Sequence, residues 1–242
     1  IVSVRRTRRF WFERYRWGIV GPGRLMVGGR DARGNDAVVK RHLSTGDLYL
    51  HADLHGAASC ALKRVDGLEL GEDDDIALEG VCNFRIIQSI NGAPEDLQML
   101  SEDEKEEAAA LAACWSRAWG AGSAAATAFH VRPSQVSKAT ESGESLGRGS
   151  FVGRGTRGWH RDLVLKMAIG LGTVNGIPMP VPGSVSAIGN LCSRWAEITP
   201  GKEKKEDIAR RISKATGLDH GEVLAALPSG NCDLIDHGLL KA

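Results

Sequence analysis

Residues 28–59, GGRDARGNDAVVKRHLSTGDLYLHADLHGAAS, pack glycine turns, a short cationic helix and a strand bearing His and Asp into one continuous run. Few folds accommodate such a run. Gly28 and Gly29 close a β-run and free the backbone for positive φ. Gly34-Asn35 reads as a turn whose Asn side-chain oxygen caps a helix from Asp36 to Leu43, with Val38, Val39 and Leu43 as a narrow apolar stripe and Lys40 and Arg41 toward water. Ser44-Thr45-Gly46-Asp47 ends it with turn chemistry. Leu48 and Leu50 then alternate with Tyr49 and His51, so the spacing predicts a strand with one face for the core and one presenting a phenol and an imidazole. Gly56, Ala57, Ala58 and Ser59 leave room for a close neighbour.

The rest of the chain arranges itself around that stretch. Residues 4–17, VRRTRRFWFERYRW, interleave arginines with aromatics. Two readings of the aromatics stay open: stacking faces for unpaired bases, or a helix end bearing Trp11, Phe12 and Tyr15 buried against a sheet. Trp17 to Gly28 predicts a hairpin about a Gly21-Pro22-Gly23 turn. Cys60 to Val65 continues as a strand, and Asp66 to Glu79 reads as an acidic loop. Its four consecutive acids, Glu72 to Asp75, lack the spaced ligands and glycine of a calcium loop. Ser101 and Glu104 form a capping box for an amphipathic helix reaching Gly120, with Trp115 and Trp119 on its apolar stripe.

Ala126 to Val131 predicts a strand, followed by the glycine- and arginine-rich segment 144–161, in which Arg148, Arg154, Arg157 and Arg161 alternate with glycines near Phe151 and Trp159. It is neither a P-loop nor a dinucleotide fingerprint. Leu163 to Thr173 reads as a central strand, and Asn175-Gly176 with Pro178, Pro180, Pro182 and Gly183 marks a break that predicts a subdomain boundary near 175–184. One further strand begins at Arg194, and two helices, Glu203 to Ala215 and Asp219 to Leu227, complete the chain.

The net charge of +1 conceals a strong segregation. Residues 1–65 carry 13 basic against 5 acidic side chains, 66–110 carry 2 against 14, and 111–166 carry 8 against 3. Two basic blocks flanking an acidic one fit a phosphate-facing side and an opposed acidic side. Five scattered cysteines without a Cys-x-x-Cys pair argue against a disulfide framework and a cysteine zinc site. No apolar run approaches bilayer length and no signal-peptide pattern appears, so a cytoplasmic protein without membrane partners is expected. Ile1 followed by RRTRR reads as a piece of a longer chain.

Three motifs, WFERYRW with GGRDARGNDAVVKRHL, GDLYLHADLHGAAS, and FHVRPSQVSKATESGESLGRGSFVGRG, resemble the RNA-binding (R) domain of the NFACT family of ribosome-associated quality control factors, in an archaeal-type form. The likeness spans roughly 10–160. It implies an α+β fold, with a mixed, mostly antiparallel sheet, packed helices and a small C-terminal helical extension. It also implies three segments: residues 1–15 as the end of an upstream coiled-coil arm, 10–175 as the RNA-binding domain, and 184–242 as a small α/β extension. The expected partners are tRNA, ribosomal RNA and the large ribosomal subunit, acting with an N-terminal domain and coiled coil that lie outside this sequence. No cofactor and no catalysis are implied.

Motif and charge together nominate Arg30, Arg33, Lys40, Arg41, Lys138, Arg148 and Arg154 as phosphate contacts, with His51 and His55 beside them. The enzymatic alternative is a metal-dependent RNA-processing site at His51, Asp53 and His55. In an extended strand the first and last of these Cα atoms lie about 13 Å apart, so one ion cannot reach all three without a sharp bend. A third possibility is a protein-interaction module docking through its tryptophans.

Overall fold

The structure, a computed structural model, describes residues 6–71, 80–87, 99–140 and 142–241. Thirteen strands and six α-helices occur among them, an α+β architecture. β1 (Arg16–Val20) and β2 (Arg24–Gly28) form the expected hairpin, with Gly21 and Gly23 at positive φ in its turn. α1 (Ala32–Ala37) and a π-helical turn, Val38–His42, lead to β3 (Leu48–Ala52) and β4 (Cys60–Leu70). Then come β5 (Cys82–Ile87), α2 (Glu102–Cys114), α3 (Arg117–Gly120), β6 (Ala125–Val131), β7 (Val136–Ser137), β8 (Val152–Gly153) and β9 (Gly158–Val164). β10 (Met167–Val174), β11 (Ile177–Gly183), α4 (Val185–Leu191), β12 (Trp195–Glu203), α5 (Lys205–Thr216), α6 (His220–Ala226) and β13 (Cys232–His237) follow.

One mostly antiparallel sheet runs β13-β12-β10-β11-β1-β2-β4-β3-β6-β9, and β5 pairs with both β10 and β4. That double pairing closes β1, β2, β4, β5, β10 and β11 into a ring. All six contribute to a single apolar cluster through Ile19, Leu25, Val27, Leu68, Phe84, Val174 and Val181, joined by Phe12 and Ile188. The opposite side of the sheet packs on α2, α3, α5 and α6 through Met26, Leu62, Leu111, Trp119, Ile169 and Ile208. β1–β11 and β5–β10 are parallel, so the sheet is mixed.

Several local expectations change in this frame. The helix after Gly29 begins at Ala32, not Asp36, because Asp31 is its cap and accepts from Gly34 N at 2.6 Å. Asn35 lies buried inside it, its Oδ1 accepting from Ser59 N at 2.9 Å and its amide nitrogen donating to Gly149 O at 3.3 Å. The outward face expected for β3 is covered: β3 lies between β4 and β6, and Tyr49 is 1% exposed with its hydroxyl 3.0 Å from Ser59 Oγ. β4 continues through Asp66 to Leu70 by pairing with β5, so the acidic loop starts later. Residues 72–79, with the acids from Glu72 to Asp75, lie outside the described residues.

The expected single helix up to Gly120 has its capping box, with Ser101 Oγ accepting from Glu104 N at 3.1 Å. It stops at Cys114, however, because Ser116 turns back to Ala113 O and caps α3 through Ala118 N. The apolar run 163–173 is divided between the edge strand β9 and the fully buried β10. Asn175-Gly176 is a tight hairpin, and the proline-rich segment behind it is β11, seated between β10 and β1. Residues 195–203 and 232–237 add β12 and β13 to the same sheet.

Aromatics of the 4–17 block serve the core. Phe12 is 1% exposed, Tyr15 and Trp17 are buried, and the half-buried Trp11 ring stacks on His42 at 4.4 Å. Residues 11–14 are a single 3-10 turn. No helix among the described residues is long and apolar enough to cross a membrane.

Candidate nucleic-acid interface

The two distant basic segments meet. Asp36, on α1, accepts from Gly149 N at 3.1 Å and pairs with Lys138 Nζ at 3.0 Å, and the Lys138 ammonium holds the Asp36 carboxyl below the usual carboxylate range. Lys138 also donates to Gly147 O at 3.0 Å and lies 4.5 Å from the Phe151 ring centroid. The loop can approach α1 this closely only at a glycine. Gly149 has φ +74, and a Cβ there would fall 2.5 Å from Ala32 Cα. Gly29 plays the matching part on the other wall, where a Cβ would overlap the Asn35 side chain.

Between these walls lies a hollow of about 350 Å³, lined by four arginines, Arg16, Arg30, Arg117 and Arg148, together with Trp115 and backbone from the Gly29 and Gly149 turns. Arg16 donates to Ser229 Oγ at 2.6 Å and Arg30 to Ala225 O at 3.0 Å; both partners are neutral. The Arg117 and Arg148 side chains are exposed and make no hydrogen bond or ion pair within the described residues. Among the described residues the single acid lining the hollow is Asp31, whose carboxylate caps α1. Burial lowers the Arg16 and Arg30 pKa values, and Arg16's charge lowers that of Arg30 further. Both stay cationic at neutral pH. Gathering like charges without counter-anions is unfavourable in the free protein, and an anion in the hollow relieves it.

α2 spans roughly 20 Å. Its C-terminal end, Trp115 and Ser116, is at the hollow, whereas Glu102, Asp103 and Glu104 occupy its first turn at the far end. The length of α2 therefore keeps these three acids away from the arginines of the hollow.

The other nominated residues fall at different distances from this hollow. Arg33 is exposed on α1, and Lys40 and Arg41 are exposed on the following turn, where Arg41 borders a second hollow with Trp11 and His42. His55 is exposed in the turn before Gly56, itself a lining residue. The His51 ring is packed between Tyr49 and Phe129, with centroids at 6.3 and 5.8 Å, and burial lowers its pKa. Arg154 donates to Ala139 O and Thr140 O at 2.9 and 3.1 Å, holding the β7–β8 hairpin. Arg157 lies over Phe129 at 4.5 Å, and the exposed Trp159 carries Arg161 at 5.4 Å.

Among the described residues no group of three His, Cys, Asp or Glu side chains is placed to hold a metal, so His51, Asp53 and His55 do not form one. Sequence reasoning passed over Arg16 and Arg117 individually. Arg16 stood in the nominated arginine-aromatic block, but Arg117 stood in what read as the middle of an amphipathic helix. Only the break at Ser116 turns it toward the hollow.

An α+β domain whose arginine cluster has no acidic partner among the described residues is of the class suited to polyanions. The chain belongs to the NFACT family: the family model described as "NFACT protein RNA binding domain" matches residues 9–155. It is 28% identical over 233 residues to the archaeal Rqc2 homolog aRqcH of Methanocaldococcus jannaschii, covering 95% of this chain and 30% of that protein. It is also 35% identical over 158 residues to the ribosome quality control complex subunit NEMF of Homo sapiens, covering 65% of this chain and 12% of that one. A structure of the C-terminal part of the fibronectin/fibrinogen-binding protein from Streptococcus suis aligns at 17% identity and a TM-score of 0.40, over 66% of this chain and 49% of that one. The chain thus spans less than a third of the length of either curated relative.

Proposed function

We propose that this chain is the RNA-contacting, non-catalytic part of a cytoplasmic ribosome quality control factor, and that it holds tRNA or ribosomal RNA on the large ribosomal subunit by phosphate contacts. The observation that carries the reading is the hollow itself: four guanidinium groups on glycine-shaped walls, none paired with an acid among the described residues. Guanidinium forks suit phosphate oxygens and carry no sequence preference by themselves. Arg16, Arg30, Arg117 and Arg148 are the inner contacts, with Arg33, Lys40, Arg41 and His55 as flanking ones. Lys138 and Arg154 act by holding the loop that carries Arg148, and His51 by packing beneath it.

On this reading residues 1–15 end an upstream arm, 10–175 form the RNA-binding domain, and 184–242 are an extension sharing its sheet. The test is binding of tRNA to the chain with Arg16 and Arg148 both changed to Glu. Loss of more than tenfold in affinity, with unchanged far-UV circular dichroism, is expected. Unaltered affinity in a folded double variant would overturn the assignment.

A further inference from the structure

Away from the arginine hollow, two cysteines are brought together by the closure of the strand ring. Cys82 on β5 lies opposite Gly172 of β10, in the parallel pairing that completes the ring. Cys192, the C-terminal cap of α4, lies over Gly170, its Sγ taking the space a side chain at 170 would need. Residues 170 and 172 face the same side of β10: Gly170 leaves room for the Cys192 sulfur, and Gly172 for the Phe84 ring and the Cys82 backbone beside it. The two sulfurs are neighbours there, because Ser193, the residue after Cys192, lies against the Cys82 sulfur. Ser193 N donates to Cys82 Sγ at 3.2 Å, and the Ser193 hydroxyl, 3.6 Å from that sulfur, donates to Gly80 O at 3.0 Å.

The environment distinguishes the two sulfurs. The neighbouring Cys192 thiol and the Ser193 backbone N–H stabilise a thiolate at Cys82 and bring its pKa down to about 6, while the same neighbour and burial push Cys192 up. Cys82 is half-buried and Cys192 buried. The other three cysteines are buried, with burial raising Cys60 and Cys114 to about 12 and Cys232 to about 11. A low-pKa, accessible thiolate beside a second thiol is the arrangement that reacts with peroxides and then closes a disulfide.

We propose that Cys82 and Cys192 form a peroxide-reactive dithiol, with Cys82 attacking and Cys192 resolving, whose oxidation joins β5 to the end of α4. The Cys82 thiolate attacks one oxygen of hydrogen peroxide; the O–O bond breaks and the other oxygen leaves as hydroxide, protonated to water. Cys192 sulfur then attacks the Cys82 sulfenic acid. The S–S bond forms, the S–O bond breaks, and the departing hydroxyl takes the Cys192 proton as a second water. Two cysteine sulfurs lose two electrons, and one peroxide becomes two waters. The resulting bond ties a strand inside the family-matched stretch to the segment beyond it.

The test uses the whole reduced chain with one equivalent of hydrogen peroxide, followed by denaturing alkylation and peptide mass spectrometry without reductant. The expected product is a linked Cys82–Cys192 peptide, lighter by two hydrogens and released by dithiothreitol, with Cys60, Cys114 and Cys232 alkylated. In Cys192→Ser the same treatment leaves a Cys82 sulfenic acid that dimedone captures. Should that variant not fold, native iodoacetamide labelling of the wild-type chain decides. Cys82 is expected to titrate with a midpoint near 6. No linked peptide at one equivalent, oxidation elsewhere first, or a Cys82 midpoint at the ordinary thiol value of about 8.5 would each overturn the proposal.

Discussion

Replacing Arg148 by alanine isolates one cation of the hollow at little structural cost, because its guanidinium is exposed and unbonded among the described residues. The change in folding stability is expected to stay within about 0.5 kcal/mol. Each phosphate neutralised by an arginine contributes about 0.7, for single strands, to 0.9, for duplex, to the slope of log K against log salt. Four such contacts give a slope of roughly −2.8 to −3.6, so a fourfold rise in salt weakens binding about 50- to 150-fold. Without Arg148 the same rise weakens it only about 20- to 40-fold.

Flanking cations add equally to both slopes, so the difference of about 0.7 to 0.9 survives whatever else touches the RNA. The assay is fluorescence anisotropy of labelled tRNA across a salt series. Arg154→Ala is the comparator: its guanidinium holds Ala139 and Thr140 carbonyls, so the salt slope is expected to stay unchanged while the β7–β8 hairpin loosens. A slope unaltered in Arg148→Ala, or lowered equally in Arg154→Ala, would refute the view that the hollow is the phosphate site.

Other expectations follow from the same geometry. Gly149→Val meets Ala32 and needs a left-handed backbone, so it is expected to cost about 2 kcal/mol in urea denaturation and to weaken tRNA binding by displacing Arg148. Asp47→Ala removes the nearest anion from the buried Lys63 ammonium, now 2.5 Å from the Asp47 carboxylate, and leaves it Asp66 at 3.7 Å and the His42 carbonyl, so it is expected to lower stability by roughly 2 kcal/mol; a loss below about 0.5 kcal/mol would deny that pair its role. Burial lowers the pKa values of His42, His51, His130 and His160. Their unfolded values are about 6.5, so the unfolded chain binds more protons below that pH, and stability is full above it and lost as pH falls. A urea midpoint that does not decrease from about pH 7 to about pH 5 would contradict this.

Much of the molecule was legible because its signals are local. The β1–β2 hairpin, the capping box on α2, the helices after Glu203 and the spacing of glycines from 28 to 59 need only neighbours a few residues away. Errors arose where a distant segment outbid a local preference. Asn35 has the chemistry of a cap, yet it bridges Ser59 and Gly149. Tyr49 alternates like a surface residue, yet β6 and the Phe129 cluster cover it. Nothing between 66 and 71 signals a strand until β5 is beside it to take the hydrogen bonds.

The amino-acid order alone determined that the chain folds around a glycine-bounded stretch, carries cations in two blocks and acids in a third, and belongs with RNA-binding NFACT domains. Only the tertiary structure decided which cations lie together. It set Arg16, Arg30, Arg117 and Arg148 around one hollow, assigned Lys138 to Asp36 and Arg154 to its own loop, and packed His51 between Tyr49 and Phe129. The physical reason is range. Turn and cap preferences act over a few residues, whereas the field at a phosphate site sums charges that meet only when strands far apart in the chain pair.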